Sequence, residues 1–597
     1  MGTNQIVLEL MQYTTNNYIR GITVIVTVIT AVFVWFYWGC LKNDLPLSYE
    51  GDAFPVMMGI KGYATGENNP ITPRFLTQLN APFVAAWSDF PREKLVDWPA
   101  GVLVHLFGMA EGTTLFVLLL QILAGISFYL CGTQMTRIRE KHELLIACSI
   151  LFGLAPYAFL RNLQHLALTS YWHLPLLVTT LIWFGWRERV CLSQYGGIVF
   201  ACASAFLAGN LNPYYLGPFL ILLSILALGK LMQREWDQII LFGSVIASAV
   251  TGFFLQNIDT FIYIARHGKN HEAVSRSLWW MVKFGLYFPD LIFPRAHQNW
   301  VINKISWSLY HSHVPQQLWG ESQTIYIGIV AAGALIIMML LGVAWISAHR
   351  FEKVSPFFWL GSATLAFSMA GGLNYLLGAL GFLLLRATSR SSILIACITL
   401  YFLCEEVPSK INRGLKYVLA ILLAGVGIWD QIPRYPAWEQ DIRKRAWSNY
   451  QSDAQFFPWV ESRLKPGAMV FELPVKDYPE MGPIRDMGDY EHFRPVLHTK
   501  QLRVTYGTVK GRGDTDWQKT VASKDPMQMT TDLERYGFSA LLINRKAYED
   551  QGESLKNEFE RGGASLLCSN HDFIIFELKP AAETQLPPCK AFSKPAD

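Results

Sequence analysis

The stretch GITVIVTVITAVFVWFYWGCL, residues 21–41, decides the class of fold. It carries no charged side chain. A helix of about 20 mostly apolar residues crosses the ~30 Å of hydrocarbon in a bilayer, where no water is present to satisfy an exposed backbone. Two further uncharged stretches, residues 238–256 and 323–346, meet the same test. The first stretch follows Arg20 and invites comparison with a secretory signal, but it is too long and lacks a small-residue cleavage site before Lys42, so it reads as an uncleaved anchor. Composition agrees: 52% of the 597 residues are hydrophobic and 16% are charged, against roughly a quarter charged in ordinary soluble domains. A net charge of +4 gives no argument for a nucleic-acid partner.

Working outward, apolar runs predict eleven transmembrane helices, near residues 21–41, 113–131, 144–158, 171–186, 195–210, 214–229, 238–256, 323–346, 357–373, 391–404 and 417–430. Short loops holding Arg137, Arg139 and Lys141, Arg187 and Arg189, Lys230 and Arg234, Arg350 and Lys353, and Lys410, Arg413 and Lys416 alternate with loops poor in basic residues. The positive-inside rule makes the basic set cytoplasmic, together with the N-terminus. Two long loops, residues 42–110 and 257–322, then face outward, and an odd helix count puts the tail outside too. Residues 356–385 contain no charge and read as one helix plus a re-entrant segment, loosened by Gly371, Gly372, Gly378 and Gly381, or as two helices, which would reverse the tail.

The sequence divides into a membrane domain, residues 1–430, and a soluble domain, residues 431–597. In the latter AMVFELPV, FSALLIN and HDFIIFEL read as strands, and DPMQMTTDLERYG and YEDQGESLKNEFERGG as helices, predicting a small α/β or α+β fold without phosphate-loop, dinucleotide or zinc spacing. The tail GRGD, residues 511–514, reads as a turn with no adhesion role. Seven of nine cysteines lie in or beside apolar runs and read as small buried hydrophobes. Cys568 and Cys589 in the tail can pair if it faces an oxidising compartment, and two free thiols remain the other reading.

The first long loop holds Glu50 and Asp52 just past the first helix, beside Tyr49, Phe54 and Pro55. A partly desolvated carboxylate at the membrane surface is poised as a general base, while a solvated loop acid is the other reading from position alone. The stretch YEGDA in this loop, with LAPYAFLRNLQHLALTSYWHLPLL, GNLNPYYLGPF and LLLRATSRSSI, resembles bacterial multi-spanning membrane glycosyltransferases of the GT-C class over most of the membrane part, including the order of loops and the soluble tail. YEGDA matches the place where GT-C enzymes carry an acidic residue in the first outer loop.

That resemblance implies an inner-membrane enzyme that takes a sugar from a polyprenyl-phosphate donor and passes it, with inversion, to an acceptor hydroxyl on the periplasmic face. The acceptor would be a cell-surface or lipid-linked glycan, or a protein such as a pilin. Asp52 would be the catalytic base, and Glu50 a second acid that orients it or binds a metal, with Mg or Mn compatible and no cofactor certain. The active site would lie by the two long outer loops and the bilayer surface. Cations must then hold the departing phosphate. Arg266, Lys269, Arg276, Lys283 and Arg295 in the second long loop are candidates, with an amphipathic helix meeting lipid head groups as the other reading. Arg161 and His165 in a short outer loop, and Arg386 and Arg390, break the charge rule; rim charges of this kind are phosphate-binding candidates, or snorkel to head groups. His165 and Tyr49 are the candidates for contact with substrate, although a histidine in such a loop is more often a structural hydrogen-bonder.

A lipid-linked oligosaccharide flippase or other transporter is the alternative, but internal repeats and charges near the bilayer midplane are not seen in the sequence. A phosphoglycerol or phosphoethanolamine transferase would need a large metal-binding catalytic domain that this tail lacks.

Overall fold

Helix Ser392–Glu406 buries twelve of its fifteen residues, as a helix apolar on every side must. The Tyr401 ring stacks on Phe128 at 3.9 Å, and its hydroxyl donates to the Phe128 carbonyl at 2.8 Å. In this computed structural model residues 3–273, 276–408, 412–433, 437–512 and 515–588 are described. Lys410, the Gly513 and Asp514 end of the GRGD turn, and Cys589 with its proposed partnership to Cys568 lie outside the described residues. The chain forms two compact units: one of Met1–Asn43, Thr114–Leu255 and Arg276–Gln440, the other of Asp44–Thr113, Gln256–Ser275 and Asp441–Asp597. A cut at residue 430 therefore does not describe the packing, because the first long loop and the start of the second group with the tail.

The first unit is a polytopic helical membrane protein. Among the described residues seven helices are long and apolar enough to cross a bilayer: Asn17–Phe36, Met109–Thr133, His142–Arg161, Pro213–Met232, Trp236–Gln256, Ile329–Ser347 and Gly414–Gln431. The other four predicted stretches are helical but shorter than a full crossing, at Leu174–Gly185, Gln194–Gly209, Pro356–Ser368 and Ser392–Glu406. After Ser368 the chain does not form a second long helix. Gly371 and Gly381, with φ of +75° and +97°, bracket the seven-residue helix Leu373–Ala379. Two of the basic loops of the charge count meet at one end of Ser392–Glu406. Lys141 Nζ donates to the Cys404 and Glu405 carbonyls at 2.8 and 2.6 Å, and Arg189 pairs with the Glu405 carboxylate at 2.9 Å. Of the seven membrane-region cysteines Cys191 is exposed and Cys202 half-buried, so the buried-hydrophobe reading fits only the other five.

The second unit is built on a mixed five-stranded sheet. Residues of the first long loop form a small hairpin, β1 (Phe75–Leu76) and β2 (Ala85–Ala86). The tail supplies β3 (Met469–Leu473), β4 (Arg503–Val504), β5 (Phe538–Asn544), β6 (Ser565–Ser569) and β7 (Phe573–Glu577) in the order β4-β3-β5-β7-β6. Pairings of β3 with β4 and β5 are parallel, and those of β7 with β5 and β6 antiparallel. The loop continues the sheet: Val504 donates to the Gln78 carbonyl at 2.8 Å, and Ala81 donates to the Val504 carbonyl at 2.9 Å. Leu541, Ile543, Ile574 and Phe576 form its core with Leu533 and Phe559 from the covering helices Pro526–Arg535 and Glu553–Arg561. Asp525 starts the first of these by accepting from the Gln528 amide at 3.1 Å.

Candidate functional site

In the second unit Gly51 takes φ +50°, a turn that a side chain would strain, and Ala53 donates to the Glu50 carbonyl at 3.1 Å. The turn makes Asp52 the cap of helix Ala53–Ala64, and a helix N-terminus favours negative charge. Asp52 is exposed and Glu50 half-buried. Burial first, then the Asp52 charge, pushes the Tyr490 phenol up. Tyr49 is 2% exposed, and its hydroxyl donates to Asp453 Oδ2 at 2.7 Å and lies 3.0 Å from His498 Nε2. Burial, then Arg494 and Lys61, pushes His498 down to about 3, so its ring is neutral. Asp453 in turn receives Arg494 Nε at 2.6 Å and its terminal nitrogen at 2.9 Å. Tyr49 therefore anchors the acidic turn to the tail through a buried ion pair, a tie that crosses 404 residues of sequence.

The sequence reading missed Arg92, whose guanidinium pairs with Asp97 at 2.9 Å and donates to the Pro55 carbonyl at 3.2 Å, joining helices Ala53–Ala64 and Lys94–Phe107. It also missed Asp259, which receives Arg74 at 2.8 Å and Lys94 at 2.6 Å. Arg266 and Lys269 are exposed in this unit and make no ion pair among the described residues. Arg512 of the GRGD turn is buried against Asp89.

The first unit brings four predicted cations into one array. Arg161, 1% exposed, donates to Glu321 Oε2 at 2.7 Å and to Thr324 at 2.8 Å, and lies over the Tyr157 ring. Arg390 grips the same carboxylate through Nε at 3.1 Å and a terminal nitrogen at 2.6 Å, the fork geometry suited to an oxyanion. Its plane covers Tyr214 at 4.4 Å, whose hydroxyl accepts from Arg386 at 3.3 Å. Trp280 then lies between Arg386 and Arg276, at 5.1 and 5.3 Å. Burial alone would raise the Glu321 carboxyl, but Arg161 and Arg390 hold it well below the usual range. Burial, then Arg161 and Arg390, pushes His165 beside them down to about 3. Lys283 rests on Phe284, a ring that Arg386 also faces at 6.0 Å, while Arg295 rests on Trp319. Glu321 was not singled out in the sequence, where it reads as one polar residue in a loop searched for cations.

Among the described residues no three His, Cys, Asp or Glu side chains cluster to hold a metal ion. Glu50 and Asp52 alone make a poor donor set for Mg or Mn.

Asp290, in the turn Phe288–Leu291, is 2% exposed, and burial pushes its carboxyl up to about 7 against the opposing pull of Tyr310 and Arg295. The folded chain then holds a proton that the unfolded chain, with an ordinary value of about 3.9, has released. The contribution of Asp290 to stability is full below pH ~4 and is lost as pH rises towards 7. Melting temperatures in detergent are expected to fall across that window. Asp290→Asn should flatten the fall, and an unchanged slope in that variant would assign it to other groups.

No protein-family model matches the chain, and no curated protein matches it. Among solved structures it is similar to ArnT from Cupriavidus metallidurans in the apo state, with TM-score 0.44 and 14% identity over 93% of this chain and 97% of that one. It is similar to the same protein bound to undecaprenyl phosphate, with TM-score 0.42 and 13% identity over 93% and 97%. It is also similar to the archaeal oligosaccharyltransferase AglB from Archaeoglobus fulgidus, in complex with an inhibitory peptide and a dolichol-phosphate, with TM-score 0.39 and 9% identity over 90% and 71%. At such identities no residue assignment is carried over from them.

Proposed function

We propose that the chain is a GT-C-type membrane glycosyltransferase that moves a sugar from a polyprenyl-phosphate donor to an acceptor hydroxyl on the periplasmic face of the inner membrane. The observation that carries this reading is the array Arg276–Trp280–Arg386–Tyr214–Arg390–Glu321–Arg161, at the end of the span His142–Arg161. Within it one carboxylate stands against the two guanidiniums of Arg161 and Arg390, leaving local positive charge to hold a phosphate at a hydrocarbon boundary.

In this reading Asp52 takes the proton from the acceptor hydroxyl. The alkoxide oxygen forms its bond to the anomeric carbon as the bond from that carbon to the phosphate oxygen breaks, with inversion. The electron pair leaves on the polyprenyl phosphate, whose added charge the guanidiniums of the array neutralise. Glu50 orients the turn, and His165, neutral, offers a hydrogen bond rather than a charge.

The test is purified protein in vesicles with a panel of radiolabelled polyprenyl-phosphate sugars. Label should move to an acceptor glycan, lipid or pilin-like protein. Label that crosses the bilayer still attached to its lipid would establish a flippase and reject this reading. A reporter fused after Asp597 should be active only outside the cytoplasm; activity inside would reject a periplasmic tail.

A further inference from the structure

A cavity in the first unit opens at the opposite end of the span His142–Arg161 from Arg161. It measures about 860 Å³, within the range of small-molecule sites. Its walls are the helices Asn17–Phe36, His142–Gly153 and Arg413–Gln431, and it runs from Glu143 to Ile150 on one side and from Lys416 to Ile428 on the other. At the helical rise these distances are roughly 10 and 18 Å, enough for much of an acyl chain. Val24, Val28, Ile146 and Ala424 make the interior apolar.

The mouth is not apolar. Arg20 and Lys416 line it together with Glu140 and Glu143. Among the described residues Arg20, Glu140 and Lys416 form no ion pair, so both signs of charge are presented at the entrance. A purely anionic head group would match the cations and be repelled by the acids. A head group with a phosphate and an ammonium a few ångströms apart matches both.

We infer that this groove is a binding site for one zwitterionic glycerophospholipid, seated by its phosphate on Arg20 and Lys416 and by its amine on Glu140 and Glu143, with an acyl chain along the three helices. The donor of the proposed reaction belongs elsewhere, since its phosphate is assigned to the array at the other end of the same span. The site stands independently of that reaction.

The experiment is native mass spectrometry of the full chain in detergent with phosphatidylethanolamine, phosphatidylglycerol or polyprenyl phosphate added singly. One phosphatidylethanolamine per chain should be retained about tenfold better than phosphatidylglycerol. The pair Glu140→Gln and Glu143→Gln should remove that preference, and Ala424→Trp should abolish retention by filling the groove while leaving sugar transfer intact. The exposed Arg20→Gln, which leaves the core untouched, should weaken both glycerophospholipids and serves if the tryptophan variant does not fold. Equal retention of the two glycerophospholipids by the wild type, or unchanged retention in the variants, would overturn the inference. Displacement of the bound lipid by polyprenyl phosphate would overturn it as well, and would mark the groove as a donor site. Lipid retention is read without sugar transfer, so failure here and failure of the proposed reaction are distinguishable.

Discussion

Asp52→Asn is expected to lower sugar transfer by about 10²–10⁴-fold, the usual contribution of a positioned general base, while leaving the folded chain and its donor affinity unchanged. Stability should change little because Asp52 is exposed and its side chain makes no capping hydrogen bond, so asparagine gives up only the modest attraction of a charge to that helix end. The informative readout is the pH profile. Wild-type rate should rise as the carboxylate loses its proton and then level off, whereas the residual rate of the variant should lack that limb. Asp52→Glu keeps the base but displaces it along the side chain, and should retain more activity than asparagine. Full transfer by a folded Asp52→Asn protein would remove the base assignment, and loss of donor binding would move Asp52 from catalysis to recognition.

Position within the tail was legible wherever local pattern decided structure. FSALLIN is β5 to the residue, and DPMQMTTDLERYG yields a helix because Asp525 caps it and Pro526 suits its first turn. Strand β6 was not legible: SLLCS lies at the sheet edge with both faces half-open, so it has no alternation to read. Strand β4 is two residues long, and its neighbour at residues 78–81 comes from a loop more than 400 residues earlier. Pairings at that range leave no trace in composition, which explains why the loop looked like an appendage of the membrane part. The long helix Ala437–Arg463 crosses what read as a featureless change in composition.

The candidate site divided along the same line. Charge-rule violations pointed to Arg161, Arg386 and Arg390, because a cation on the wrong side of a membrane helix needs a reason to be there. Their arrangement around Glu321 depends on residues about 160 and 69 positions apart meeting in space. Tyr49 shows the converse. Its neighbours in sequence suggested contact with substrate, whereas its hydroxyl is engaged by Asp453 and His498. In the proposed reaction it acts by fixing the turn that presents Asp52.

Glu321→Gln is expected to be the most damaging substitution to the first unit, at about 3–5 kcal/mol, because it keeps the shape of the side chain and removes the charge that Arg161 and Arg390 share. Arg161 is almost wholly buried and cannot turn to water, so the two guanidiniums would face each other uncompensated. Thermal unfolding in detergent should fall by several degrees or more. Adding Arg390→Gln removes one of the repelling charges, so the double variant should recover part of the loss, with a coupling of ~1–3 kcal/mol in the cycle. Additive losses would mean that Glu321 does not hold the arginines together. The same cycle separates architecture from phosphate binding. If the array receives the donor's phosphate, polyprenyl phosphate supplies the missing negative charge and should stabilise Glu321→Gln more than it stabilises the wild type. Equal stabilisation of both would confine Glu321 to architecture and send the phosphate towards Arg386 and Arg276.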